Sequence, residues 1–164
     1  MFDFLFKNKR LRNSTDKLFS AIIKQSRVST FYSEYDVEDS LDGRFDLLVL
    51  HMAFVLDKLD QHKDSEGGRK IRRNLQEIMF DNLDLTLREI GVGDLGVGKK
   101  IKLKAEAFYG RMSVYKQLFS IFDLKKMSES LHRNLYREKT IKDEKLNQMS
   151  QYVYDQKNHI NEQS

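Results

Sequence analysis

The amino-acid sequence predicts an all-α protein, folded as a single-domain bundle of about five to six amphipathic helices. Three observations indicate this class. Apolar residues recur at spacings of three and four over most of the 164 residues, which is the period of one helix face. Proline is absent, and glycines cluster between the periodic stretches, where turns are expected. No stretch shows a convincing alternation of period two, the pattern of a half-buried strand.

Three amphipathic helices are predicted ahead of residue 91. The apolar face of the first is formed by Leu11, Thr15, Leu18, Phe19, Ile22 and Ile23. That of the second is formed by Phe45, Leu48, Met52, Val55, Leu56 and Leu59, and that of the third by Leu75, Ile78, Met79, Leu83, Leu87 and Ile90. Asp42 is the expected N-cap of the second helix. Residues 28–35 form either a loop that packs its aromatic rings on the bundle or a short strand.

The fourth helix has the clearest pattern and is predicted to run for about seven turns. Its apolar face is formed by Val97, Ile101, Ala105, Phe108, Met112, Tyr115, Phe119 and Phe122. A fifth helix, or a bent extension of the fourth, is marked by Leu124, Met127, Leu131 and Leu135. Leu146, Met149 and Val153 suggest a weak, polar sixth helix. The predicted organisation is a basic N-terminal segment over residues 1–12, a helical domain over 13–140 and a polar C-terminal helix or tail over 141–164.

Composition limits the class of protein. Hydrophobic residues make up 40% and charged residues 33%, a balance typical of a folded, water-soluble chain. No apolar run approaches the roughly 18 to 20 residues that a membrane-spanning helix needs. Cysteine is absent, which excludes disulfides, thiolate zinc sites and cysteine nucleophiles and fits a reducing compartment. A cytoplasmic location in a bacterial cell is expected. A peripheral position at the inner face of the membrane is compatible with it.

Charge is segregated along the chain although the net charge is only +4. Residues 1–30 sum to +5, residues 31–66 to −7, residues 67–140 to +7 and the remainder to −1. Such blocks either steer partners or form solvated faces that neutralise one another after folding.

A glycine-rich run resembles two nucleotide-binding patterns. Residues 91–96 satisfy G-x-G-x-x-G, and residues 93–99 satisfy most of the phosphate-loop pattern. Both motifs need a β-strand leading into the loop, whereas here a helix is predicted, and Lys100 stands where a phosphate loop has Ser or Thr. The run is therefore predicted to be structural, with Gly91 ending the third helix in a left-handed conformation, Gly93 also in an unusual backbone conformation, and Asp94 capping the fourth helix. No cofactor is expected.

Other candidate sites for chemistry are weak. Residues 38–43 resemble the start of a calcium loop, but the position of the bidentate acid is occupied by Val49. The four histidines are dispersed, and His51 is expected to be a hydrogen-bonded residue of a helix face. With no recognised nucleophile pattern, the sequence indicates a non-enzymatic protein.

Two stretches carry a more specific signal. Residues 31–48 read FYSEYDVEDSLDGRFDLL, and residues 90–97 read IGVGDLGV and continue to EAFYGR at 106–111. In this order and separation they resemble the signature of the ubiquinol-cytochrome c chaperone family, over roughly residues 10–140. The chain departs from that pattern at Gly98, where many members have proline.

The resemblance implies an all-helical, non-catalytic assembly factor, here a bacterial member, for the cytochrome bc1 complex. Its expected partner is nascent cytochrome b or another bc1 subunit. Docking at the ribosome near the tunnel exit and a weak peripheral membrane contact are further expectations, and specific DNA binding is not expected. An alternative function is ribosome or RNA binding through two basic groups. They are Arg69, Lys70, Arg72 and Arg73, and Lys99, Lys100, Lys102 and Lys104.

Candidate partner-binding residues lie mainly in the two signature stretches. Two alternatives are open for the aromatic residues: they form an exposed strip that binds the client, or they pack in the core. The residues concerned are Tyr32, Tyr35, Phe108, Tyr109 and Tyr115. Tyr109 lies outside the main apolar face of its predicted helix. Arg44 and Arg111 either pair with acidic residues of the first signature or face the client. The full candidate set is Tyr32, Tyr35, Asp36, Asp39, Arg44, Asp46, Asp94, Lys99, Lys100, Tyr109 and Arg111.

The N-terminus provides a separate hypothesis. Phe2, Leu5 and Phe6 can share one helix face ahead of four basic residues between positions 7 and 12. Such a segment can rest on an anionic membrane surface as a weak, reversible anchor. A flexible segment and one docked on the core are the alternatives.

Overall fold

The computed structural model describes residues 2–61 and 65–162, with side chains described for 13–61 and 65–160. Within these ranges the secondary structure is helical, without a β-strand. The helices are α1 (Phe2–Ser26), α2 (Thr30–Ser33), α3 (Leu41–Asp60), α4 (Glu66–Glu89), α5 (Asp94–Phe119), α6 (Leu124–Asn134) and α7 (Asp143–Glu162). The predicted all-α class is confirmed, because six of these helices span 11 to 26 residues and only α2 is shorter.

The helices form two compact units. The first contains residues up to 21 together with 59–109, and the second contains residues 22–58 together with 110–164. Three helices, α1, α3 and α5, contribute to both units.

The core of the first unit follows the predicted periodicity. Leu75, Met79 and Leu87 of α4 are almost fully buried. The ring of Phe80 meets the buried ring of Phe108 edge-on, with 5.8 Å between centroids. The prediction that Ile90 continues the apolar face of α4 is wrong, because α4 ends at Glu89 and Ile90 is 62% exposed.

In the second unit the core is built largely on α3, whose apolar residues Leu47, Leu50 and Met52 have no exposed surface. The polar helix predicted within residues 141–164 is α7, and it is better packed than its polar sequence indicated, because it packs on α6 and buries Met149 and Val153.

Phe122 does not continue the apolar face of α5, as its spacing predicted. The helix ends at Phe119, and Asp123 accepts a hydrogen bond from the amide of Lys126 at 3.0 Å as the N-cap of α6. Phe122 therefore lies in the connecting turn, 70% exposed, with its ring on that of Tyr154.

Two helix starts differ from the predicted caps. α3 begins at Leu41, and the Ser40 hydroxyl accepts a hydrogen bond from the amide of Gly43 at 3.1 Å, so Ser40 rather than Asp42 is the N-cap. Of the two alternatives for residues 28–35, the strand is wrong. The segment packs the ring of Phe31 into the core, as predicted for a loop, but it also contains the single helical turn α2, which the sequence did not predict.

The turn between α4 and α5 confirms the prediction for Gly91 and corrects those for Gly93 and Asp94. Gly91 has a φ of +92°, the left-handed conformation predicted for it. Among the glycines of this run, positive φ is confined to Gly91, so Gly93 does not share it. The carbonyl of Gly93 accepts a hydrogen bond from the amide of Val97 at 2.9 Å, and α5 begins at Asp94. Asp94 is therefore the first helical residue and not the cap.

Within the described ranges, no helix combines the length and apolar character needed to cross a bilayer. The backbone of residues 2–12 belongs to α1. The predicted membrane contact of Phe2, Leu5 and Phe6 concerns side chains that lie outside the described part of the chain.

Candidate partner-binding surface

The first signature stretch is anchored in the second unit by a buried ion pair. The side chain of Asp46 has no exposed surface, and that of Arg111 is 12% exposed. Arg111 donates a hydrogen bond to Oδ1 of Asp46. The predicted pairing of Arg111 with an acidic residue of this stretch is thus confirmed, and it joins α3 to the C-terminal half of α5. A carboxylate removed from water in this way requires such partners.

Arg137 is a second partner of the same carboxylate, which sequence reasoning did not identify. Its Nε lies 2.8 Å from Oδ2 of Asp46, and its Nη1 lies 3.3 Å from Oδ2 of Asp42. The hydrogen bond to Asp46 raises the pKa of Arg137 above its ordinary value. Arg137 and the next residue, Glu138, have φ values of +52° and +62°, which are unusual for residues other than glycine.

Basic residues after Arg137 continue along the acidic segment. Lys139 forms an ion pair with Glu38. Lys145 lies 3.9 Å from Asp36 and also donates a hydrogen bond to the carbonyl oxygen of Glu34. Residues 137–145 therefore hold the acidic segment in place through charges, as the segregation of charge along the sequence allowed.

Gly43 brings the acidic segment close to the start of α3. A Cβ atom at this position would lie 1.9 Å from the carbonyl oxygen of Glu38, far inside the contact distance of two atoms. This backbone approach requires glycine.

Arg44 and the two tyrosines of the first signature are less deeply placed. Arg44 Nε lies 2.8 Å from Oδ1 of Asp39, and both side chains are 57% exposed. The predicted pairing of Arg44 is confirmed, as an exposed ion pair. Tyr32 is partly buried, and its covered hydroxyl has no hydrogen-bond partner among the described residues. Tyr35 is partly buried as well, and its carbonyl oxygen accepts a hydrogen bond from Tyr136 at 2.7 Å.

A small cavity lies beside this cluster, with a volume of about 30 Å³. Its walls include Asp36, Gly43, Asp46, Tyr136 and Arg137. The space suffices for about one water molecule. The acidic segment is therefore organised by ion pairs rather than around a cavity for a ligand.

Candidate residues from the second signature lie in the first unit, at the turn between α4 and α5. Arg88 forms ion pairs with Asp84 at 2.7 Å and with Asp94. These contacts fix the end of α4 to the start of α5. Lys99 and Lys100 are exposed on α5. The glycine run is preceded by helix α4, as predicted, and so lacks the strand-to-helix turn on which phosphate capture depends.

Only one of the five aromatic residues considered for an exposed strip is strongly exposed. Tyr109 is 56% exposed, with its ring edge-on to Phe108 at 5.2 Å between centroids. Phe108 and Tyr115 have no exposed surface. Of the two alternatives, core packing is therefore correct for Phe108 and Tyr115, because both lie on the buried side of α5.

His51 belongs to a buried polar chain inside the second unit. Its Nδ1 lies 2.7 Å from the carbonyl oxygen of Leu47, which can only accept a hydrogen bond, so Nδ1 carries the proton. Its Nε2 lies 2.7 Å from the Tyr152 hydroxyl, and Gln25 donates to that hydroxyl at 3.3 Å. Burial lowers the pKa of His51 to about 4. This geometry confirms the prediction of a hydrogen-bonded histidine on a helix face.

Comparisons with known proteins agree with the signature stretches. A family model described as ubiquinol-cytochrome C chaperone matches residues 33–164. The match starts and ends later than the resemblance over residues 10–140, and it takes in α7. The crystal structure of the Cbp3 homolog from Brucella abortus is similar at a TM-score of 0.84 and 26% identity, covering 100% of this chain and 90% of that chain. No curated protein sequence gives a significant match.

Proposed function

Because this chain belongs to the ubiquinol-cytochrome c chaperone family, we propose that it binds newly made cytochrome b, or another bc1 subunit, during assembly of the bc1 complex. Membership gives the chain the coarser role of an assembly chaperone, and it implies a non-enzymatic function. The match over residues 33–164 is the observation that carries the proposal. The proposed setting is the cytoplasm, where nascent subunits are available.

The proposed client contacts are the signature residues whose side chains reach the surface. Tyr109 is the first of these, because an exposed aromatic side chain that rests on a buried ring offers apolar area at a low cost in conformational entropy. Asp36, Asp39 and Arg44 are exposed in the second unit. We assign Asp46 and Arg111 to holding the acidic segment in place, because their charges are buried against each other.

Ribosome or RNA binding is the second candidate function, and it has less support than the sequence indicated. In one of its two basic groups, Lys70 pairs with Glu66 and Arg72 pairs with Asp60. These cations already have acidic partners within the chain. Docking near the ribosomal tunnel exit remains compatible with client binding.

Affinity capture of the full chain from its native cells, with translation arrested, tests the client. Nascent cytochrome b should be recovered by the unchanged protein, and Tyr109→Ala should recover less. Phe122→Ala is a matched control, because Phe122 is also exposed and also rests on another ring. Recovery of ribosomes without cytochrome b or another bc1 subunit would contradict the proposal.

Deletion of the gene tests the same role in the cell. Assembled bc1 complex should fall while the cytochrome b messenger stays unchanged, since the proposed function acts after synthesis begins. Normal bc1 levels in the deletion strain would argue against an assembly role.

A further inference from the structure

The solvent-facing side of the first half of α5 carries exposed leucines alongside lysines. Leu95 is 86% exposed and Leu103 is 65% exposed. Residues four apart lie on one side of a helix, so Leu95, Lys99 and Leu103 form one row. Lys102 borders this row on the same exposed face. All four residues belong to the first unit, and together they are called the α5 outer face.

The α5 outer face is not an extension of the core. Val97 and Phe108 are buried on the other side of the helix, at 1% and 0% exposure. α5 therefore has apolar residues on two sides, and one of these sides is covered by the protein. The two outer leucines lie eight residues apart, which corresponds to about 12 Å along the helix axis.

The charges on this face select the class of partner. Within the described part of the chain, neither Lys99 nor Lys102 takes part in an ion pair. Their positive charges are thus available to an anionic surface. Lysine can extend its ammonium group to phosphate headgroups while its methylene stem lies among apolar groups.

The alternation of leucine and lysine favours a lipid surface over other partners. A partner protein that receives a helix in an apolar groove needs a continuous apolar stripe, and here Lys99 interrupts the row. RNA would neutralise the lysines and leave the leucines in water. A headgroup layer satisfies both residue types, because apolar side chains enter the acyl boundary and basic ones remain at the phosphates.

We propose that the α5 outer face, formed by Leu95, Lys99, Lys102 and Leu103, rests on an anionic membrane surface. This contact does not depend on the identity of the client. It would hold the chain at the membrane reversibly, since a few side chains give weak anchoring. It is also separate from the contact predicted for the N-terminal segment.

Co-sedimentation of the full chain with phosphatidylcholine vesicles, with and without phosphatidylglycerol, tests the proposal. Binding is expected to the anionic vesicles and should weaken as salt is raised. The double variant Leu95→Gln, Leu103→Gln should bind the anionic vesicles at least about tenfold more weakly than the unchanged chain, because it removes the apolar groups that enter the bilayer. Lys99→Gln should cost about fivefold and Lys102→Gln about the same.

Matched controls separate this contact from general effects. Leu85→Gln changes another leucine, 56% exposed on α4, and should leave vesicle binding unchanged. Unchanged thermal melting would show that the variants fold, as expected for exposed positions.

Three outcomes would overturn the proposal. The unchanged chain could fail to bind anionic vesicles, or the leucine double variant could bind as tightly as the unchanged chain, as it would if the N-terminal segment alone carried binding. Salt-sensitive binding of an RNA oligonucleotide, without vesicle binding, would assign the lysines to RNA. Client capture is measured separately, so its failure would not be mistaken for the failure of membrane binding.

Discussion

Arg137 Nε lies 2.8 Å from Oδ2 of Asp46, and it donates this hydrogen bond from a backbone with a φ of +52°. A non-glycine residue in this region costs of order 1 kcal/mol or more and persists only where the surrounding contacts hold it. Here the contact is a carboxylate with no exposed surface, which Arg111 also binds. The buried charge of Asp46 therefore stabilises both the helix pairing of α3 with α5 and the conformation after α6.

Asp46→Asn should strongly destabilise the protein. The substitution removes the negative charge and leaves Arg111, 12% exposed, without its buried partner. Breaking a buried pair from one side typically costs about 3 to 5 kcal/mol. Urea unfolding followed by circular dichroism measures the change in the free energy of unfolding.

Asp39→Asn is the control, because the Asp39–Arg44 pair is exposed and such pairs contribute about 1 kcal/mol or less. Equal losses in the free energy of unfolding for Asp46→Asn and Asp39→Asn would show that burial of Asp46 does not determine its contribution to stability.

Gly43→Ala should also destabilise the protein, for a steric reason. The new Cβ would lie 1.9 Å from the backbone carbonyl oxygen of Glu38, which cannot move as a flexible side chain would. Overpacking of this kind costs about 1 to 3 kcal/mol. Gly110→Ala is the matched substitution, because a Cβ at Gly110 meets nothing within 4 Å and alanine favours a helix interior by up to about 1 kcal/mol. The melting temperature should thus fall for Gly43→Ala and rise for Gly110→Ala. The opposite order would contradict the steric requirement for glycine at position 43.

Removing the hydroxyl of two buried tyrosines should change the free energy of unfolding in opposite directions. The buried hydroxyl of Tyr115 has no hydrogen-bond partner within the described part of the chain, and burial raises its pKa above the ordinary value. Tyr115→Phe should be neutral or stabilising by about 1 kcal/mol, since it removes an unsatisfied polar group. Tyr136→Phe should destabilise by about 1 to 2 kcal/mol, because the carbonyl oxygen of Tyr35 loses its donor. Chemical unfolding of both variants measures the two signs, and a loss of stability in Tyr115→Phe would indicate a partner for its hydroxyl.

The sequence predicted the helices well because apolar periodicity reports local geometry. It failed where a distant residue decides the outcome. Ser40 and Asp42 are both good capping residues, and nothing local chooses between them. In the structure Asp42 lies near Arg137, 95 positions along the chain, and Ser40 caps the helix. Phe122 continues the apolar spacing of α5 in the sequence, although the next residue, Asp123, is the N-cap of a new helix.

The candidate site shows the same limit. The partners of Arg44 and Arg111 were predicted because the first signature offered a small set of acids. Arg137, Lys139 and Lys145 were missed, because their contacts with Asp46, Glu38 and Asp36 span 91 to 109 positions and no spacing rule links them. Opposite charge of the two segments was the available signal, and it does not identify pairs.

Acid should destabilise the protein through His51. The folded chain binds a proton at His51 near pH 4, because burial lowers its pKa, whereas the unfolded chain does so near the ordinary value of 6.5. The unfolded state therefore binds more protons between these values, and stability that is present above pH 6.5 is lost as the pH falls toward 4. Over this pH range, His51 alone should lower the free energy of unfolding by about 3 kcal/mol.

The neutral ring at pH 7 also fits the contacts, since Nε2 accepts from the Tyr152 hydroxyl only when unprotonated. His51→Gln removes the titration, so the difference in unfolding free energy between the unchanged protein and this variant should shrink by up to about 3 kcal/mol from pH 7 to pH 4. Urea unfolding at several pH values measures this difference, in which the titration of carboxylates common to both proteins cancels. A difference that stays constant across the range would show that His51 titrates alike in the folded and unfolded chain.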